Sequence, residues 1–270
     1  DQTSSMKMPW VILILVFPIM GVGLYLLIGL NGGTLKMRER YAQIDRELLP
    51  LLPNDSECRE TLGRKIPKAG NIADYIQRNA SYPVYQNTDV IYYDEAVKGL
   101  EAQLEDLAKA EKFIFMEYHA IEDAQAWHKI QSVLEDRVKA GVDVRVFYDD
   151  MGSIGFINTD FIKKMEKVGI HCRVFNPFTP GLNVFLNNRD HRKITVIDGK
   201  VGFTGGYNLA NEYFNFTHPY GQWKDTGIRL EGEAVHSLTV TFLEMWNAVS
   251  DKDKNDSDFN KFLLSTDYQA

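Results

Sequence analysis

The nine residues DHRKITVID, positions 190 to 198, set an imidazole, an ammonium and a carboxylate close together in a stretch otherwise patterned like a strand. In a strand, side chains i and i+2 leave the same face, so His191 and Lys193 would share one surface while Ile194 and Val196 fill the other. Asp198 opens Asp-Gly-Lys, a tight hairpin turn, after which Val201 to Phe203 resumes a strand and TGGYN bends the backbone again. Gly205 and Gly206 would let a ligand come close to the backbone, and Asn208 offers an amide. Imidazole, ammonium and amide are what phosphate chemistry asks for: a nucleophile or proton donor, a charge for nonbridging oxygens, and a hydrogen-bond partner. A surface hairpin with scattered polar residues would use the same residues, so the cluster alone leaves both readings open. A metal site fits less well. One histidine beside a lysine is poor ligand chemistry, and no second His or Cys stands at ligand spacing.

The elements that must position this cluster alternate. Val90 to Tyr93 and Lys112 to Tyr118 read as strands, with a helix between them carrying Ala96, Leu100, Leu104 and Leu107. A second helical pattern, about Ala124 to Ala140, stops at Gly141 and gives way to the strand VDVRVFYDD. Helix 158–167, strand 171–175 and a helix over 234–249 follow. Such alternation predicts an α/β domain over 80–250 with a mixed, largely parallel sheet flanked by helices. Asp149 and Asp150 end a strand, where functional residues of such sheets gather, yet capping of the next helix explains them equally well.

The chain of 270 residues is 44% hydrophobic and 12% aromatic, enough for a full core. Its net charge of −7 excludes a generally basic, nucleic-acid-coating surface, so any phosphate site is local. Cys58 and Cys172 are too few and too far apart in sequence for a disulfide framework. After a polar stub over 1–9, residues 10–30 run without a charge, about the ~20 needed to cross a bilayer as a helix, and longer than the apolar part of a signal peptide. A transmembrane helix is expected there. Lys7 stands alone before it, whereas Lys36, Arg38, Arg40 and Arg46 follow, which puts the rest of the chain in the cytoplasm. Residues 31–79 read as a basic juxtamembrane helix and linker. Met37, Tyr41, Ile44 and Leu48 recur at helical spacing, suiting either a helix beside anionic headgroups or a plain connector. Residues 251–270 form a polar exit without a packing pattern.

HRKITVID fits the HxKxxxxD signature of the phospholipase D superfamily, and its continuation GKVGFTGGYNLANEY resembles the first such motif of bacterial cardiolipin synthases. FIFMEYHAIED, AGVDVRVFYDDMGS, QWKDTGIRLEGEAV and TFLEMW resemble successive blocks of the same family in the same order, and the apolar segment with SSMKMPW before it looks like the second membrane helix of these synthases. The resemblance implies a metal-independent, cofactor-free phosphatidyltransferase of the bacterial cell membrane. His191 would attack phosphatidylglycerol to give a phosphohistidine, and a second phosphatidylglycerol would take over the phosphatidyl group, releasing cardiolipin and glycerol. Lys193 and Asn208 would hold the nonbridging oxygens, and Asp198 would orient the histidine. Arg189, with Asn187 and Asn188, could contact a headgroup.

The family builds one site from two HxKxxxxD motifs, and this chain carries one. His119, His128, His171, His218 and His236 lack a lysine two residues on, so they read as surface or core residues. The resemblance therefore implies the N-terminal half of a longer synthase, with the second motif in a missing C-terminal part or, less economically, in a homodimer partner. Two other classes stay open: a phosphodiesterase with water as acceptor, and a non-catalytic membrane module. The loop YFNFTHPYGQW, 213–223, could dip into the membrane interface or pack over the site.

Overall fold

The computed structural model describes residues 4–26, 32–53, 55–158, 160–177, 188–249, 256 and 258–263. Seven strands form one sheet: β1 (Thr88–Tyr93), β2 (Phe113–Tyr118), β3 (Asp143–Asp149), β4 (His171–Phe175), β5 (Lys193–Ile197), β6 (Val201–Gly205) and β7 (Gly227–Gly232). Their spatial order is β1-β7-β6-β5-β2-β3-β4. The helices are α1 (Ser4–Val16), α2 (Pro18–Leu24), α3 (Gly32–Leu48), α4 (Ser56–Lys65), α5 (Pro67–Ala80), α6 (Ala96–Leu107), α7 (Gln125–Lys139), α8 (Asp150–Ser153), α9 (Phe161–Lys167) and α10 (Val235–Ala248).

Helices α6, α7 and α9 cover one face of the sheet, and α3 with α10 covers the other. The central strand β2, FIFMEY, is buried on both sides because it must serve both layers. Its Ile114, Met116 and Tyr118 join the α6/α7 core, whereas Phe113 and Phe115 pack with Phe242 and Trp246 of α10. Helix α7 buries Ala126, Trp127, Ile130 and Leu134 along one stripe, the period that made it readable. Each large side chain so buried contributes about 1.5–3 kcal/mol.

The sheet is mixed but not largely parallel. Of its six pairings only β2–β3 and β3–β4 are parallel; the four others are antiparallel. The strand-helix alternation that implied parallel pairing holds from β2 to β4 and then stops. Beyond it, the Asp198-Gly199 turn makes β5 and β6 a hairpin, and β7 returns beside β6 to pair with β1.

The stretch read as a linker contains the helices α4 and α5. The apolar face of α3 packs inward: Ile44 and Leu48 are buried, and Met37 and Tyr41 lie with them against the α10 core. At the N-terminus, the helix breaks at Phe17 before Pro18, which starts α2. Helix α2 folds back on α1, so close that a Cβ on Gly21 would lie 2.7 Å from Ile14 Cα, and the rings of Trp10 and Tyr25 meet edge-on at 5.5 Å. Among the described residues no helix is long and apolar enough to cross a membrane. The described part of the expected 10–30 span is thus a helical hairpin with Leu15 and Ile19 facing outward, and its last four residues lie outside the described ones.

Candidate active site

Strand β5 begins at Lys193, so His191 sits just before the strand rather than inside it. Strand alternation is therefore not what joins the two. Lys193 is buried, and its Nζ reaches back to donate a hydrogen bond to the His191 carbonyl at 3.0 Å. Burial lowers the Lys193 pKa, while the carboxylates of Asp190 and Asp225 work against that shift. The Lys193 ammonium, followed by burial and His119, pulls the His191 pKa below its ordinary 6.5. An imidazole held neutral at neutral pH is one that can attack phosphorus.

Asp198 lies at the opposite end of β5. Its backbone takes a positive φ of 53°, and Gly199 follows at 69°, the pairing a tight primed turn requires. The carboxylate accepts three backbone hydrogen bonds, from the N–H groups of Glu111 (2.8 Å), Lys112 (2.7 Å) and Phe113 (2.9 Å). It thereby fixes the β5–β6 hairpin to the start of β2, and it orients the strand that carries the site rather than the histidine ring.

The two glycines have a different reason from the one expected. A Cβ on Gly205 would stand 2.6 Å from the Thr226 carbonyl oxygen, and one on Gly206 would stand 2.1 Å from Asp225 Oδ1. Close approach of β7 and of the Asp225 carboxylate, both within the protein, demands glycine here. Neither glycine is held in the positive-φ region. Asn208 is buried and engaged at both ends: Oδ1 accepts from the Ala120 N–H at 3.1 Å and Nδ2 donates to the Tyr213 hydroxyl at 2.8 Å. Tyr213 in turn packs on Trp223 at 4.8 Å, which ties the two ends of loop 213–223 together beside Asn208, and Tyr220 at its tip is exposed.

Arg189 turns inward. Its Nη1 pairs with Asp149 Oδ1 at 3.0 Å, which commits the guanidinium to the protein. Asp149, fully buried at the end of β3, also caps α8 through the Gly152 N–H (3.0 Å) and accepts from the Asp190 N–H (2.8 Å). The capping role expected for Asp149 is filled, and the same carboxylate also holds Arg189 and the Asp190 backbone just before His191. Asn187 lies outside the described residues, and the Asn188 carbonyl accepts from Asn176 Nδ2.

Three groups near the motif were missed. His119, just past β2, stacks at a tilt against His191 with ring centroids 4.8 Å apart. Asp225 borders Gly206 and is fixed by the Trp223 indole N–H (3.3 Å) and the Thr226 N–H (2.8 Å). Glu117, fully buried in β2, meets Arg192 Nε at 2.9 Å, an ion pair without hydrogen-bond alignment. A carboxylate inside FIFMEY was the readable signal for this pair, since a charge on a doubly buried strand needs a partner. His128 and His171 pair with Asp123 and Glu166. Among the described residues no group of three or more His, Cys, Asp or Glu side chains could hold a metal.

Residues 104–246 match the family model described as cardiolipin synthase, phospholipase D-like domain. The chain belongs to that family. Residues 1–29 match the model of a phospholipase D-nuclease N-terminal segment. An uncharacterized protein of Streptococcus mutans is 40% identical over 241 residues, which is 89% of this chain and 52% of the relative. The major cardiolipin synthase ClsA of Bacillus subtilis is 31% identical over 259 residues, 92% of this chain and 53% of the relative. The cardiolipin synthase of Oceanobacillus iheyensis is 32% identical over 261 residues, 93% and 53%. The chain spans about half the length of these relatives.

Proposed function

We propose that these 270 residues supply the nucleophilic half of a membrane-held cardiolipin synthase. The single observation that carries the reading is an exposed His191 imidazole set beside the buried Lys193, whose Nζ bonds to the His191 carbonyl, inside a domain of this family. In the first step a His191 ring nitrogen bonds to the phosphorus of phosphatidylglycerol. The P–O bond to the headgroup glycerol breaks, and that glycerol oxygen takes up a proton. In the second step the terminal hydroxyl of another phosphatidylglycerol attacks the phosphorus, gives up its proton and displaces the imidazole. Two phosphatidylglycerols become one cardiolipin and one glycerol.

Within this reading, Lys193 meets the charge on the phosphoryl oxygens as it grows. Asn208 lends its second amide hydrogen, while Asp198 and Asp149 hold the segments on either side of His191. The proton for the departing alkoxide comes from a second HxKxxxxD histidine outside these residues, as the doubled length of the relatives supports. The outward apolar side chains of the α1–α2 hairpin, Ile19 at 92% exposure among them, hold the protein at the cytoplasmic face of the bilayer or carry it across. A substrate with two acyl chains never leaves the membrane, so the enzyme has to come to it.

The test uses the full-length parent polypeptide in vesicles of phosphatidylglycerol labelled in its phosphate. Cardiolipin and glycerol are the expected products, with an acid-labile, base-stable label on the protein that His191→Ala abolishes. Phosphatidic acid as the sole product would replace transfer by hydrolysis, and an active His191→Ala enzyme would overturn the assignment of the nucleophile.

A further inference from the structure

His119 touches the proposed nucleophile yet has no part in the chemistry just described. Its Nδ1 lies 2.7 Å from the Asp190 carbonyl oxygen. A carbonyl oxygen only accepts, so Nδ1 carries the hydrogen. The opposite edge of the ring is seated against Gly152, where a Cβ would stand 2.7 Å from both Cε1 and Nε2. Backbone on that side keeps the ring from swinging away. Asp149 Oδ1 stands 4.0 Å from the same Nδ1. The remaining face meets His191 at 4.8 Å with the planes inclined by 58°.

The two rings are held very differently. His119 is fixed on three sides, whereas the exposed His191 ring has no hydrogen bond to its nitrogens among the described residues. A nucleophile that must stand in line with a P–O bond loses rate steeply when its direction wanders. We propose that His119 is a positioning residue for His191: a ring clamped by the Asp190 carbonyl and the Gly152 backbone, against which the untethered imidazole is aimed. This rests on the reading of His191 as nucleophile. A Cβ at residue 152 would stand 2.2 Å from the His119 carbonyl oxygen as well as 2.7 Å from its ring, so glycine there lets helix α8 lie against both the backbone and the ring of His119.

Contact also couples the charges of the two rings. The groups facing His191 are Lys193 from its own segment, His119 from the end of β2, Asp149 from the end of β3, and Asp190. Lys193, burial and His119 lower its pKa, and the two carboxylates raise it. Removing His119 deletes one lowering influence, so the His191 pKa rises and its protonated, inactive form persists to higher pH.

Two variants separate wall from charge. His119→Phe keeps a ring against His191 and removes the ionisable group; His119→Ala removes both. In the full-length enzyme, His119→Ala is expected to slow phosphohistidine formation about tenfold or more with KM changed less than about twofold. His119→Phe is expected to recover most of that rate while the acid limb of the pH profile moves up. In parallel, carbon-13 NMR of histidine-labelled 270-residue chain in micelles follows the His191 titration directly. An upward midpoint shift in His119→Phe supports the proposal. An unmoved midpoint, or an Ala variant within about twofold of the parent rate, overturns it, and the NMR result decides even where the Ala variant does not fold. Each outcome is read beside His191→Ala: if that enzyme stays active the nucleophile assignment fails, and if it is dead while the His119 variants behave as wild type only the positioning role fails.

Discussion

The two ends of strand β5 are both held by carboxylates, and by opposite means. At the Asp198 end one carboxylate takes three backbone N–H groups and needs no cation. At the His191 end Arg192 stands 2.9 Å from Glu117 and 3.0 Å from Asp190, and Glu244 adds a further negative influence on Glu117. More carboxylates surround Arg192 than one guanidinium can neutralise, and Glu117 and Glu244 answer by rising above their ordinary pKa, burial being the main cause for each. The first end is an anchor built on backbone amides. The second is a titratable support set directly beside the proposed nucleophile.

The difference is broken most severely by Arg192→Met. Removing the cation leaves Glu117 and Asp190 facing each other in the interior, a loss of about 3–5 kcal/mol for a broken buried pair. Because Glu117 already tends to take up a proton, the cost shrinks as pH falls, and Arg192→Met with Glu117→Gln recovers part of it. Urea unfolding in detergent at pH 8 and pH 5 checks both statements; a cost equal at the two pH values would show that Glu117 does not titrate in the variant.

The anchor end gives the next largest effect and a different signature. Asp198→Ala abandons three N–H groups and puts alanine at a positive φ, which costs about 2–3 kcal/mol, whereas Asp198→Asn tolerates that backbone, keeps one acceptor and loses about half as much. Neither cost depends on pH between 6 and 9, because the groups bonded to Asp198 are backbone amides. Unfolding curves across that range sharpen the contrast. A pH-dependent loss here would mean that the two ends are not distinct in kind.

How far the sequence carries the reader follows the same division. The elements from β2 to β4 and the helix α10 were legible because their hydrophobic periods are local, as Trp127, Ile130 and Leu134 on α7 illustrate. The sheet order was not, since β1 pairs with β7 across more than a hundred residues and no local pattern announces Val90 opposite Leu230. The spacing of His191, Lys193 and Asp198 raised the phosphate-chemistry reading but left a plain surface hairpin equally open. His119 was not legible: it bonds to Asp190 from 71 positions away, and without the parallel β2–β3 pair and the β2–β5 pair nothing brings it near. Gly205 and Gly206 were noticed for the right freedom and the wrong neighbour, because a missing Cβ does not say whether a ligand or an adjacent strand fills the space.

The smallest expected effect lies at the outer edge of the titratable end. Tyr41 of α3 donates to Glu244 Oε2 at 2.8 Å, and Tyr82 donates to the same oxygen at 3.1 Å. The Glu244 pKa is raised from 4.5 to about 7, with burial the first cause and the Tyr41 hydrogen bond the foremost influence lowering it. An acid whose pKa rises on folding binds protons more tightly in the folded state. Its contribution is therefore complete below about pH 4.5 and is lost as pH rises through about 7. Tyr41→Phe removes a donor that favours the charged form, so it should cost about 1 kcal/mol at pH 8 and less at pH 5, where Glu244 is protonated. It should also move the Glu244 transition to higher pH. Unfolding free energies of wild type and Tyr41→Phe from pH 4 to 9 test this. Parallel curves would mean that the α3 contact supports α10 by packing alone, and that helix α3 does not share in the charge balance beside His191.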